Sequence, residues 1–222
     1  MAIKASGFRL TQVTETTGFA VVETSTLRDV TAEQGYPPLR PSVETGFHAL
    51  LGTFVLHTHP VYANLALCSV EGDEVIRDVM DGIPHITVPY INPGEALSKA
   101  IGGLLKPDTS VVFMQNHGVA VTADTAEQCL QLHDEVNRRI AAYYNVTPED
   151  FAGWLAYSSK PLYPDQQVYL TLTEAQNEIM AAVSFIHSVL ARKGHHPRAM
   201  DESAMAFIAG WESEAYRKTI VQ

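Results

Sequence analysis

Thr53-Phe-Val-Leu-His57-Thr-His59-Pro60 decides how this chain is read. The short apolar run Phe54 to Leu56 has strand character and delivers two histidines two residues apart. Side chains alternate across a strand, so His57 and His59 share one face. Pro60 stops the hydrogen-bonding ladder and can open the helix that Val61-Tyr-Ala-Asn-Leu-Ala begins. Two neutral imidazoles on one face at a strand end are half of a metal site. They equally suit polar strand-end residues making ordinary hydrogen bonds, and the pair alone does not choose.

Upstream, the proline-rich connector Gln34 to Pro41 leads to Ser42. Ser42 reads as the N-cap of a short helix over Val43 to Leu51, with Gly52 as its stop. Glu44 falls in the first turn, where the helix dipole favours a carboxylate, and His48 follows on the same face. As an isolated observation, Glu44 is a helix-start residue. Because this helix runs straight into the His57 and His59 strand, its start can lie near the same site. Further upstream, residues 1–30 alternate in a β-like way, with Phe19-Ala-Val-Val-Glu23 as a strand and turns at Gly7 and Gly18. Lys4-Ala-Ser6-Gly7 joins an ammonium to a turn whose backbone N–H groups suit an anion; an ordinary turn has the same composition.

Downstream, residues 61–69 read as a buried helix, Ile86 to Tyr90 as a strand, and Glu95 to about Leu105 as a helix entered through Asn92-Pro-Gly94. Ser110-Val-Val-Phe-Met-Gln115 is the clearest strand. It breaks at Asn116-His117-Gly118 before Val119-Ala-Val-Thr122 resumes. A histidine between Asn and Gly at such a break is oddly placed for a core residue, and Gly118 permits a positive φ or a close backbone approach. His117 is therefore assigned as the third imidazole. Asp124-Thr-Ala-Glu127 opens a helix running to about Tyr144. His133 falls on its apolar stripe and reads as structural. Two more helices are expected at about 173–193 and 201–219, with His195 and His196 as solvated residues of the intervening loop.

Composition bounds the rest. With 222 residues and a 46% hydrophobic share, one substantial core is expected, and residues 1–222 are read as a single domain with 146–222 as a mainly helical extension. The net charge of −10 argues against a nucleic-acid surface. No apolar run reaches membrane-span length, and no signal-peptide core follows Met1. Cys68 and Cys129 lie in apolar helical patterns and read as buried thiols of a reducing compartment, the cytoplasm.

Three histidines and Glu44 make a four-ligand set, with zinc as the expected ion or another divalent transition metal in its place. Such an ion acts as a Lewis acid on a carbonyl or hydroxyl oxygen and can stabilise an enediolate, while a nearby carboxylate shuttles the proton. That chemistry suits making or breaking a carbon–carbon bond beside a carbonyl, or isomerising such a compound.

The ordered set Pro41-Ser-Val-Glu44, His48, His57-Thr-His59-Pro60, Tyr62-Ala63, Pro89-Tyr90, Pro93-Gly94 and Gln115-Asn-His117-Gly118 resembles the class II aldolase/adducin family, which includes fuculose- and rhamnulose-phosphate aldolases. Tyr163-Pro-Asp-Gln and Gly210-Trp-Glu-Ser-Glu-Ala-Tyr-Arg217 look like the branch that contains the aldolase domain of bifunctional rhamnulose-phosphate aldolase/dehydrogenases. The resemblance implies a three-layer α/β/α sandwich around a mostly antiparallel sheet, followed by C-terminal helices. It implies His57, His59 and His117 as zinc ligands, Glu44 as the catalytic carboxylate, and Tyr90 as a proton donor to a neighbouring subunit's site. It further implies a homotetramer acting on a small carbohydrate, while the net charge and the lack of a long apolar run lead to the expectation of no nucleic-acid or membrane partner.

This chain departs from the family at the phosphate site. The family's Gly-Asn-(Leu/Ile)-Ser loop is expected to be missing from these residues, Val43 replaces the second serine of the Ser-Ser-Glu pattern, and the interval from Glu44 to His57 is short. Lys4, Ser6 and Gly7, with Ser42, are the expected substitutes for substrate binding. The readings left open beside an aldolase are an epimerase, decarboxylase or dehydratase of a related compound, and a non-catalytic adducin-like assembly module. The module reading predicts loss of the histidines, all of which are present. An amidohydrolase barrel would read His57-x-His59 similarly but needs a longer chain.

Overall fold

Every residue of the strand Val111–Met114 is buried, which requires an apolar layer on each side of its sheet. In the computed structural model, the described residues are 1–147, 150, 162–165 and 173–212. In chain order the elements are β1 (Ala2–Lys4), β2 (Phe19–Val21), α1 (Thr45–His48), β3 (Phe54–Thr58), α2 (Val61–Leu67), α3 (Gly72–Val79) and β4 (His85–Val88). They continue with α4 (Glu95–Leu104), β5 (Val111–Met114), β6 (Gly118–Ala123), α5 (Ala126–Tyr144), α6 (Thr173–Lys193) and α7 (Glu202–Gly210).

The main sheet has the order β3-β6-β5-β4, antiparallel except for the parallel pair β4 and β5. Alternation along β5 sends Val111 and Phe113 to one face, where they join Leu65 of α2, Ile76 of α3, Ile140 of α5 and Ile186 of α6. Val112 and Met114 face the other way, into a cluster with Phe47 of α1 and with Leu97 and Ile101 of α4. The architecture is therefore the expected three-layer α/β/α sandwich with a mostly antiparallel sheet and C-terminal helices. Among the described residues no helix is long and apolar enough to cross a membrane.

Two elements differ from expectation. The helix after Ser42 is short: it begins at Thr45 and, beyond His48, tightens into turns in which Leu50 and Leu51 donate to Phe47 and His48 three residues back. Ser42 does not cap that helix. Its hydroxyl accepts from the Glu44 amide at 3.2 Å, so Ser42 shapes the preceding turn and Glu44 holds the N-cap position. Helix α3 is an element that the local pattern does not announce, because its sequence is rich in charge and buries only Gly72, Val75 and Ile76. The final expected helix is described as Glu202–Gly210, and its continuation past residue 212 lies outside the described residues.

A second, two-stranded sheet of β1 and β2 brings the N-terminus to the site. Ala5 bridges Pro41, and the Ser6 amide donates to the Arg40 carbonyl at 2.8 Å. The Lys4–Gly7 turn thereby comes to lie beside Ser42.

Candidate metal centre

Three loci meet at one end of the sheet. β3 pairs with β6 in the register His57 opposite Ala120 and Thr58 opposite Val119, which puts His57 and His59 next to the β5–β6 turn. That turn carries His117. Its left-handed residue is Asn116, with φ of 52°, rather than Gly118. Gly118 serves the close approach instead: an added Cβ would stand 2.3 Å from the Thr58 carbonyl oxygen and 2.7 Å from the His59 ring. Asn116 is buried, and its side-chain amide donates to the carbonyls of Leu162 at 2.7 Å and Arg198 at 2.6 Å, anchoring the turn to two C-terminal segments. Glu44 enters from the start of α1.

One ligand atom from each of Glu44, His57, His59 and His117 lies within 4.8 Å of all the others. Glu44 Oε1 is 2.9 Å from His117 Nε2 and 3.2 Å from His57 Nε2, and the Nε2 atoms of His57 and His59 are 3.2 Å apart. Ligands about 2.0–2.1 Å from a tetrahedral zinc are roughly 3.3–3.5 Å from one another.

Proton placement makes the same case. His57 Nδ1 lies 3.0 Å from the Val119 carbonyl oxygen, which only accepts, so a neutral His57 carries its proton there and leaves Nε2 bare. His59 Nδ1 lies 2.7 Å from Asp165 Oδ2, which likewise places the proton on Nδ1. Two bare nitrogens and a carboxylate oxygen then face one another at hydrogen-bond distance with no proton between them. A cation resolves that repulsion, and the donor set of imidazoles with one carboxylate suits zinc. His117 is held differently, by burial, and its Nδ1 has no hydrogen-bond partner.

Burial tends to raise the Glu44 carboxyl, but when the His57 ring is protonated its charge, with the hydrogen bond from His117, outweighs burial and holds the group well below the usual carboxylate range. Burial pushes His117 down to about 4 despite its bond to Glu44. His48, stacked on Phe47, is likewise pushed down to about 4 by burial, and it stays outside the cluster.

The cluster forms the wall of a cavity of about 430 Å³. Lys4, Ser6, Gly7 and Ser42 line the same cavity, as does Val43. Lys4 Nζ donates to the carbonyls of Phe8 at 2.8 Å and Ala5 at 3.2 Å. Tyr90 is not on this wall; it packs with Met200, Met205 and Trp211 around α7, and its phenol donates to Asn92 at 3.3 Å. Burial raises that phenol well above its ordinary range.

Asp165 and the pair Arg9 and Glu178, 3.4 Å apart, also line the cavity and were missed. Asp165 belongs to the Tyr163-Pro-Asp-Gln segment, and nothing in its local pattern announces a partner 106 residues away. The remaining histidines have structural partners. His133 meets the Thr58 hydroxyl at 2.7 Å, as a structural residue would. His196 is exposed, as expected of a loop residue, and also pairs with Glu71 at 2.7 Å, whereas His195 is half-buried and contacts the Tyr144 hydroxyl at 3.2 Å. Cys68 and Cys129 are free and buried, as expected.

A mixed sandwich thus gathers three histidines and a glutamate at one sheet end in a cluster that could hold a metal ion. The family model for the class II aldolase and adducin N-terminal domain matches residues 1–144, and the chain belongs to this family. Over 109 residues it is 35% identical to the uncharacterised oxidoreductase YuxG of Bacillus subtilis (strain 168), a match that covers 48% of this chain and 16% of that protein. This chain thus corresponds to a small part of that relative. The fold overlays on the N-terminal class II aldolase domain of a conserved protein from Thermoplasma acidophilum with a TM-score of 0.51 and 22% identity, across 63% of this chain and 72% of that one. YgbL of Klebsiella pneumoniae overlays with a TM-score of 0.45 and 21% identity, across 59% and 66%.

Proposed function

We propose that this chain is a zinc-dependent class II aldolase that cleaves or forms a carbon–carbon bond in a hydroxy-carbonyl compound, a sugar or sugar phosphate. One observation carries the reading: the Glu44 carboxylate touches two of the three imidazoles at the wall of a cavity large enough for a small carbohydrate. His57, His59 and His117 would hold the zinc, which when bound would supply Lewis acidity toward a substrate oxygen. Glu44 moves a proton at the carbon beside the carbonyl. Lys4, Ser6, Gly7 and Ser42 receive the substrate's polar or phosphorylated end. Tyr90, which is absent from its own chain's cavity wall, donates a proton into the site of a neighbouring subunit of a homotetramer. The buried free thiols accord with the reducing cytoplasm as its place of work.

The test is elemental analysis of untagged protein followed by a cleavage screen of ketoses and their 1-phosphates, with the aldehyde product captured by a coupled reductase. About one zinc per chain and aldehyde release support the reading. Metal without aldehyde, but with a changed stereocentre, released carbon dioxide or lost water, would replace the aldolase with an epimerase, decarboxylase or dehydratase.

A further inference from the structure

Asp165 stands out because the chemistry above does not need it, yet it lines the cavity and touches a ligand. Its Oδ2 lies 2.7 Å from His59 Nδ1, and both side chains are largely buried, at 16% and 17% exposure. The short segment that carries it is fixed by core packing and by hydrogen bonds to Leu162. Leu162 and Tyr163 are buried in the main core. The Leu162 carbonyl accepts from the Asn116 side chain at 2.7 Å and from the Cys68 thiol at 3.6 Å. Asn116 is the residue before the ligand His117, so the turn that presents one imidazole also secures the segment that orients another.

We propose that Asp165 is a positioning residue for His59: it accepts the Nδ1 proton, locks the tautomer with a bare Nε2 directed at the cluster, and raises that nitrogen's basicity toward the metal. The inference rests on the metal-site reading above. A carboxylate in this role differs from the neutral carbonyl of Val119 that serves His57, because it adds negative charge next to the ring. His59 is then the most strongly donating of the three imidazoles. The C-terminal segment thereby contributes to a site whose ligands all lie before residue 118.

The experiment uses the whole chain with Asp165→Ala and Asp165→Asn, the latter keeping the size and an accepting oxygen. The first readout needs no metal: nitrogen-15 NMR of the histidine rings at about pH 8, where an ordinary imidazole is neutral. We expect the wild-type His59 proton on Nδ1 and, in Asp165→Ala, a shift toward the Nε2–H form, with His57 unchanged because its partner is Val119. The second readout is zinc affinity by competition with a chromophoric chelator. It should weaken about 10–100-fold in Asp165→Ala and less in Asp165→Asn. An unchanged His59 tautomer would overturn the proposal, as would His57 and His59 changing together, which marks a general collapse of the site. Wild-type affinity in both variants would also overturn it. A wild-type chain that takes up no zinc would instead remove the metal reading, and the tautomer readout would still decide the His59–Asp165 pairing.

Discussion

Gly118 and Thr58 touch backbone to backbone: a Cβ on Gly118 would come within 2.3 Å of the Thr58 carbonyl oxygen. The end of β3 and the start of β6, which between them deliver all three imidazoles, approach this closely only because residue 118 has no side chain. Gly118→Ala is expected to destabilise the fold by about 1–3 kcal/mol through overpacking and to lower bound metal by spreading His59 from His117. Denaturant unfolding and elemental analysis check this together. A variant with wild-type stability and full metal would show that the strands yield without consequence.

His57 and Glu44 should separate when mutated. On the proposed zinc reading, His57→Ala is expected to lose the metal. Glu44→Gln keeps it and lowers turnover by about 10²–10⁴-fold, as loss of a proton carrier does. If Glu44→Gln sheds as much metal as His57→Ala, the carboxylate works as a ligand instead.

Tyr90→Phe should leave substrate binding near wild type and slow turnover, since only the phenolic proton is removed. Mixing Tyr90→Phe chains with His57→Ala chains should then restore activity in hybrid oligomers, because an intact metal site can receive an intact tyrosine from its neighbour. Failure of mixing, in hybrids verified by native mass spectrometry, would confine Tyr90 to its own chain.

Asn116→Gly preserves the left-handed backbone but leaves the buried carbonyl of Leu162 and the partly buried carbonyl of Arg198 without their shared donor. The expected loss is about 1–3 kcal/mol in stability, accompanied by weaker metal retention. Unchanged unfolding would mean that water replaces the amide fully.

Acid should release the loop around His196. Burial pushes the Glu71 carboxyl up, but hydrogen bonds from the His196 ring and amide and from the Ser69 hydroxyl outweigh it and hold the group at about 2. A depressed carboxylate stabilises the fold above its ordinary value of about 4.3 and loses that contribution as pH falls toward 2. The Tm difference between wild type and Glu71→Gln should therefore be full at neutral pH and shrink below about pH 4. A difference that is constant with pH would assign the effect to packing.

Much of this molecule is legible from local pattern. The alternation in Phe54 to His59 puts two imidazoles on one face without any tertiary information, and the break at Asn116-His117-Gly118 marks a site because core strands seldom stop at a histidine. The helix Ala126–Tyr144 follows from its apolar spacing and from Thr125, whose hydroxyl caps it by accepting from Gln128. Asp165 was not legible in this way: one carboxylate in an aperiodic segment acquires meaning only when tertiary packing sets it against His59. The short helix after Ser42 shows the same limit from the other side, since serine there satisfied the turn before the helix and left the cap position to Glu44.

The His57 ring bonds to the carbonyl of Val119, and Val119 is the register partner of Thr58. Strand pairing and ligand orientation are thus a single arrangement. A slip of one residue between β3 and β6 would turn Leu56 off the core and, in the same motion, withdraw the acceptor that fixes the imidazole. Misregistered chains are therefore also chains without an assembled imidazole cluster, so loss of register and loss of the candidate centre are one event.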